Sequence, residues 1–249
     1  MKMLLRNLFS RKWWFVTLLV IAGMLGLIRL GIWQLDRLQE RRAFNAQYET
    51  VHSKAVLDLN QNQPTDLIAL EWRPAEFVGK YDFENQIAIR NQYYNGQSGY
   101  HLMTPLLSNG TAVLVDRGWI PADGNSAPIA WRQYDVPGEV KVVGEIRLGS
   151  GKPAFGGVAD ALPANGSKLA IWNNADVAQV AKQMPYPILP VYFQPNADAS
   201  NTKPPIPSQP EIDLTEGPHF GYAMQWFTFA GILLFGYSYY VQKQESKTR

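Results

Sequence analysis

The sequence predicts a membrane protein in which two transmembrane α-helices, N-terminal and C-terminal, flank a β-rich extracytoplasmic domain. That domain reads as α+β, with an antiparallel or barrel-like sheet. Three observations carry this. Residues 13–33 and 221–241 are apolar runs of about 21 residues, enough at about 1.5 Å per residue to cross a bilayer core. The roughly 185 residues between them are too many for a loop of a membrane bundle. Within that stretch apolar residues alternate, and turn dipeptides separate the runs.

Residues 1–12 form a basic tail, with Lys2, Arg6, Arg11 and Lys12 ahead of the first apolar run. A secretory signal opens in the same way. This run, however, continues beyond the roughly 7 to 15 residues of a signal core, and 29–37 holds no small-x-small cleavage site. Residues 13–33 are therefore expected to be an uncleaved anchor. Leu35, Leu38, Arg42 and Asn45 keep a helical spacing, so the helix is expected to run on into water to about His52.

Strands are expected at 71–81, 86–92, 100–107, 111–117 and 139–148, the last alternating Val140, Val142, Gly144, Ile146 and Leu148 on one face. Asn95-Gly96 and Asn109-Gly110 supply the positive φ of tight hairpins, which predicts an antiparallel meander. A short strand at 168–172 leads to a helix at 174–183, with Asn173 or Asn174 as N-cap and Val177, Val180 and Ala181 at helical spacing. Residues 188–193 read as a closing strand. Pro195, Pro204, Pro205, Pro207, Pro210 and Pro218 make 195–218 an extended connector, the end of a domain at 34–218. The second span takes 219–241, and 242–249 is a further basic tail.

Charge orients the chain. Between Asp36 and Pro218 acids outnumber bases 20 to 15, whereas the tails and spans hold 8 bases and one acid. Basic flanks stay in the cytoplasm, so both termini are expected inside a bacterial inner membrane and the domain in the periplasm. Arg29, Arg37, Arg41 and Arg42 point the other way, but they precede a long domain whose translocation depends little on charge. The lack of cysteine excludes a disulfide framework, thiolate metal sites and a cysteine nucleophile. An acidic outer domain without a basic stripe argues against nucleic acid as partner. No phosphate loop, nucleophile elbow or HExxH is present, and no acid-base set emerges, so an enzyme is not expected.

The three histidines differ in promise. His52 ends a polar helix and reads as a solvated side chain. His101 and Met103 share a strand face at i and i+2, which offers copper a nitrogen and a thioether; ordinary packing accounts for the pair as well. His219, Tyr222, Ala223 and Trp226 follow i, i+3, i+4, i+7 at the outer end of the second span, opposite Arg29, Trp33 and Arg37 of the first. An arginine deep in lipid costs about 2.5 to 3.5 kcal/mol unless it snorkels or meets an anion. Two readings fit these residues. One is an interfacial belt of aromatic and basic side chains. The other is a haem site, with His219 on the iron, Arg29 or Arg37 on the propionates, and Trp33, Tyr222 and Trp226 as walls. Ala22 and Gly26, four apart, suit close packing of the two spans under either reading.

The motifs in order resemble a known family. "RLGIWQLDR" is similar to the Leu-Gly-x-Trp-Gln-x-x-Arg pattern of the Surfeit locus proteins that assemble cytochrome c oxidase, with Leu30, Gly31, Trp33, Gln34 and Arg37 on its marked positions. Gly79 and Tyr81 fit a Gly-x-Tyr, and "GYHLMTPL" supplies Gly99, Tyr100, Thr104 and Pro105. "VLVDRGWIP" supplies Arg117, Gly118, Trp119 and Pro121, and Trp172 with Asp176 fits a later Trp-x-x-x-Asp. "HFGYAMQWF" places His219, Tyr222, Ala223, Trp226 and Phe227 on the family's last motif, although Gly217 and Pro218 replace its Asn-rich approach. The resemblance implies an inner-membrane assembly factor for haem-copper cytochrome c oxidase that binds haem a or hands it to the catalytic subunit. Its implied partners are that subunit, the haem a synthesis machinery and membrane lipid. The alternative implied role is a scaffold that docks oxidase subunits without touching cofactor. Gly31, Gln34, Gly99, Tyr100, Arg117, Gly118 and Trp119 are assigned to fold or docking.

Overall fold

The computed structural model describes residues 6–61, 64–151, 153, 157–164, 166–197, 201–207 and 212–247. The tips of both basic tails, Lys152 and part of the proline-rich connector, Pro210 included, lie outside the described residues. In chain order the elements are α1 (Trp14–His52), β1 (Leu57–Asp58), β2 (Pro74–Tyr81), β3 (Ile87–Tyr94), β4 (Gln97–Ser108) and β5 (Thr111–Pro121). Then follow α2 (Pro128–Trp131), β6 (Glu139–Arg147), β7 (Ile171–Trp172), α3 (Val177–Ala181), β8 (Ile188–Pro195) and α4 (His219–Lys247). They form two compact units, Met1–Gln47 with Ile212–Arg249, and Tyr48–Glu211.

In the first unit α1 and α4 lie side by side and antiparallel. The Trp13 indole donates to Glu245 (2.9 Å), the Thr17 and Tyr237 hydroxyls bond at 2.7 Å, Gly23 faces Leu233, and Gly31 faces Phe227. Small side chains allow the approach, since Gly31, Ala223 and Ala230 are all buried. The pair expected for this role, Ala22 and Gly26, is not at the contact. Ala22 is exposed, and a Cβ on Gly26 would meet nothing within 4 Å. A helix turns about 100° per residue, so Gly23, at the contact, stands about 100° round from residue 22 and about 60° from residue 26.

Among the described residues α1 is the one helix long and apolar enough to cross a membrane. At 29 residues α4 has the length, but Gln225, Thr228, Ser238 and four tyrosines keep it short of the apolar stretch that α1 contains.

The second unit is built on a closed ring of five strands in the order β2-β6-β8-β5-β4, with β2 and β4 pairing to shut it at Lys80↔Leu107 and Tyr81↔Leu106. Outside the ring β3 pairs with β4, β7 lies parallel to β3, and β1 lies parallel to β2. The predicted meander therefore holds only for β3, β4 and β5. Strand β2 skips its neighbour for β6, and β8 runs parallel to β5. Both predicted hairpins form, with positive φ at Asn95 and Gly96 and at Asn109 and Gly110, the backbone that a two-residue turn of matching twist requires.

Phe77, Leu106, Val113, Val115, Val142, Ile146, Val191 and Phe193 fill the ring. Each such side chain contributes about 1.5 to 3 kcal/mol through burial. On the other face of β5, Leu114 packs with Ile87, Met103, Trp172, Val177 and Val180, so α3 and β7 form an outer layer. Burial on both faces explains why the first half of β5 reads as an unbroken apolar run. The cap of α3 is Asp176, which accepts from the Gln179 amide. Asn173 and Asn174, the expected caps, instead donate backbone and side-chain N–H groups to the Asp160 carboxylate at 2.8 to 2.9 Å.

Candidate functional site

Two of the sequence motifs meet in the first unit. Gly31 and Gln34 are one turn apart on α1, and His219, Ala223 and Phe227 recur every fourth residue on α4, each set on one helix face. A Cβ on Gly31 would come within 2.5 to 2.9 Å of three Phe227 ring atoms, so any side chain there would have to displace the ring. One turn further along, His219 Nδ1 lies 2.8 Å from Gln34 Oε1. An amide oxygen only accepts, so Nδ1 carries the proton. Residues 185 apart in sequence are thus joined by a hydrogen bond.

The other expected site residues are spread more widely. Arg29, Trp33 and Arg37 form a single stripe on α1. By the helical turn Arg37 stands about 60° from Gln34 and Arg29 about 140°. The Arg37 guanidinium lies 6.0 Å from the Trp33 ring centroid and pairs with Glu40 at 2.8 Å; Arg29 reaches Asp36 at 3.9 Å. Trp33 and Tyr222 are exposed, while Trp226 is half-buried and sets an edge on Phe229. Among the described residues the polar partner of His219 is therefore Gln34, with Trp33 and Arg37 round the flank and Arg29 turned away.

The approach to α4 is strapped to α1. Arg41 donates to the carbonyls of Asp213 (2.6 Å) and Thr215 (3.1 Å), Asn45 donates to that of Leu214, and Arg42 forks onto Glu216 at 2.7 and 2.9 Å. The hydrogen bond from Arg42 holds the Glu216 carboxyl below its usual range. In the sequence Arg41 stood only as a contrary topological signal, and Arg42 also as part of the helical spacing.

In the second unit the Arg117-Gly118-Trp119 motif sits on a β-bulge. Leu102 faces Gly118 and Met103 faces Asp116, so Arg117 is the extra residue of β5. The residue is only 7% exposed. The guanidinium donates to Gln86 Oε1 (3.0 Å) and to the Tyr134 carbonyl, and it lies 5.2 and 5.1 Å from the Tyr81 and Phe83 ring centroids. Burial pushes its pKa down, opposed by Tyr81 and Asp135. Burial likewise pushes the Asp135 carboxyl up, with Arg117 pulling the other way.

Gly118 has φ +117°, and the backbone of Ile206 crosses where its side chain would stand. There Trp119 and Ile206 exchange backbone hydrogen bonds at 2.8 and 2.9 Å. The Trp119 indole lies against Gly99, and Tyr100 packs on the cluster of Ile120 and Trp131. These motif residues all have work to do in the fold.

The remaining histidines find carboxylates. His101 Nδ1 is 2.8 Å from Asp116 on a cavity of about 240 Å³, and Met103 is buried in the outer layer. No cluster of three or more histidine, aspartate or glutamate ligands exists among the described residues. His52 is exposed, as expected, and also stacks on Tyr48 at 5.0 Å and meets the buried Glu145 at 3.2 Å. Burial raises the Glu145 pKa, and His52 and Arg147 draw it back.

A five-stranded barrel thus interrupts the sequence of a helical hairpin, one arm of which is long and apolar enough to cross a membrane. The model of the SURF1 family matches residues 21–231, and the chain belongs to that family. It is 26% identical over 235 residues to the SURF1-like protein of Rickettsia bellii, covering 92% of each chain. To Surfeit locus protein 1 of Rattus norvegicus it is 26% identical over 80% of this chain and 66% of the other. To the protein of that name from Mus musculus it is 27% identical over 86% and 70%.

Proposed function

We propose that this protein is a non-enzymatic assembly factor of the bacterial inner membrane, serving a haem-copper cytochrome c oxidase by binding haem a or handing it to the catalytic subunit. Its partners would be that subunit, the haem a synthesis machinery and lipid. Because α4 lies along α1, a bilayer that takes up α1 takes up α4 as well. Both termini then share one side, which the basic tails make the cytoplasm, and the barrel domain lies in the periplasm.

The observation that carries the cofactor reading is the hydrogen bond between His219 and Gln34. With Nδ1 donating, Nε2 presents a lone pair at the end of a membrane helix, the donor that haem iron takes. Bound haem would supply an iron for that nitrogen and propionates for guanidinium groups. Arg37 is better turned for this than Arg29, with Trp33, Tyr222 and Trp226 as ring walls. The test is the absorption spectrum of the full chain purified from cells that make haem a. We expect a haem spectrum that His219→Ala abolishes, and reporter fusions that place residues 10 and 245 both inside.

The scaffold reading draws on a different observation. The burial of Arg117, Gly118 and Trp119 gives the barrel motifs a reason that needs no cofactor. A colourless protein that still co-purifies with oxidase subunits would establish it in place of haem delivery.

A further inference from the structure

We infer that Gln34 is a positioning residue for His219, fixing the imidazole as its Nδ1–H tautomer, and that Gly217 keeps the opposite edge of the ring clear. The tautomer of a neutral imidazole is set by the hydrogen bond that one of its nitrogens makes, and left to itself in water the ring prefers the proton on Nε2. Gln34 Oε1 at 2.8 Å from Nδ1 reverses that preference. Its aim is steadied one turn away, where the Phe227 ring against Gly31 sets the register of the two helices. Were the amide reversed, its NH2 would donate and the proton would stay on Nε2.

The second half of the device is the approach to α4. Gly217 has φ +68°, and a Cβ there would stand 3.4 Å from His219 Cδ2 and 3.5 Å from Nε2. A residue with a side chain would be strained at this φ, and its Cβ would rest against the ring edge that carries Nε2. Partners that orient an imidazole in this way typically change the affinity of what it ligates by about 10- to 100-fold when removed. What Nε2 binds rests on the haem reading, but the tautomer does not.

The experiment uses the full chain in lipid nanodiscs, labelled with 15N-histidine and recorded by NMR at a pH where an imidazole of ordinary pKa is neutral, about 8. His219→Gln identifies the resonances of residue 219. We expect the proton of His219 on Nδ1 in the parent chain and on Nε2, or exchanging between the two, in Gln34→Met. Gln34→Glu, which keeps an acceptor, should preserve the Nδ1–H form. Nε2–H in the parent chain, or one tautomer unchanged in Gln34→Met, would overturn the inference.

Haem b added to the same samples supplies the second readout. Gln34→Met should weaken its binding by about 10- to 100-fold and shift its absorption maximum, while Gln34→Glu stays near the parent. Gly217→Ala should weaken binding without moving the proton, and undiminished binding would remove Gly217 from the proposal. A parent chain that shows Nδ1–H but takes up no haem would defeat the haem reading and leave the positioning claim standing.

Discussion

Replacing Arg117 with methionine tests how far a buried cation holds the barrel together. The substitution keeps much of the side-chain volume and removes the guanidinium. It strips donors from Gln86 Oε1 and the Tyr134 carbonyl, and a cation from between the Tyr81 and Phe83 rings. Gln86 retains the Thr104 hydroxyl at 2.5 Å, so the Tyr134 carbonyl bears most of the loss. Hydrogen bonds to a charged group contribute about 1.5 to 3 kcal/mol each, and a desolvated cation–π contact adds about 2 kcal/mol. Against this stands the desolvation that already lowers the arginine pKa, which methionine would relieve. Net destabilisation of about 3 kcal/mol is expected, in the range found when one member of a buried ionic group is removed. For a unit of this size that is roughly 10 °C in Tm, read by circular dichroism of the full chain in detergent. Arg117→Lys, with charge but no planar fork, should fall between. A methionine variant within about 2 °C of the parent would show that desolvation cancels the contacts.

Three further outcomes follow from particular contacts. Gly118→Ala must hold φ +117° against the Ile206 backbone and should cost about 1 to 3 kcal/mol, seen as a lower urea midpoint with unchanged slope. Gly31→Ala should loosen the hairpin by about 1 to 3 kcal/mol, and Phe227→Ala in the same chain should restore most of that; thermal melts of the four variants give the coupling. At Asp160 burial raises the carboxyl pKa, but the N–H groups of Asn173 and Asn174 together outweigh it and hold it below its ordinary 3.8. A depressed folded pKa stabilises above the unfolded value and the benefit fades as pH falls through the folded one. Asp160→Asn should therefore lower Tm at pH 7 and shrink the drop between pH 7 and pH 3.

Local signals in the sequence were legible and distant ones were not. Each Asn-Gly dipeptide fixed a hairpin because positive φ at two adjacent residues has few other uses. The helix that begins in the first span runs on to His52, where the charged continuation of its apolar period also ended. Alternation, by contrast, tells which face of a strand is apolar and says nothing of its neighbour, so the pairing of β2 with β6 was hidden. The cap of α3 was misassigned because nothing local announced that Asp160 would claim both asparagines.

At the candidate site His219 stood out by its place at a helix end, yet its partner did not. A single sequence gives the faces of each helix but not the rotation of one against the other. That rotation brings Gln34 to the histidine and carries Arg29 away. An amide one turn from a glycine, at the end of an apolar run, was the available clue. Likewise Asp116 and Arg117, side by side in an apolar strand, marked the bulge that alternation alone passed over.

The strands at the two ends of the sheet, β1 and β7, are two residues long, and β3 beyond Ile89 is broken by an irregular register and by Asn91 at φ +61°. Little straight main chain is left on offer for an incoming strand. Blunted in this way, the domain can touch another chain through side chains and let it go, where a longer border would splice itself in.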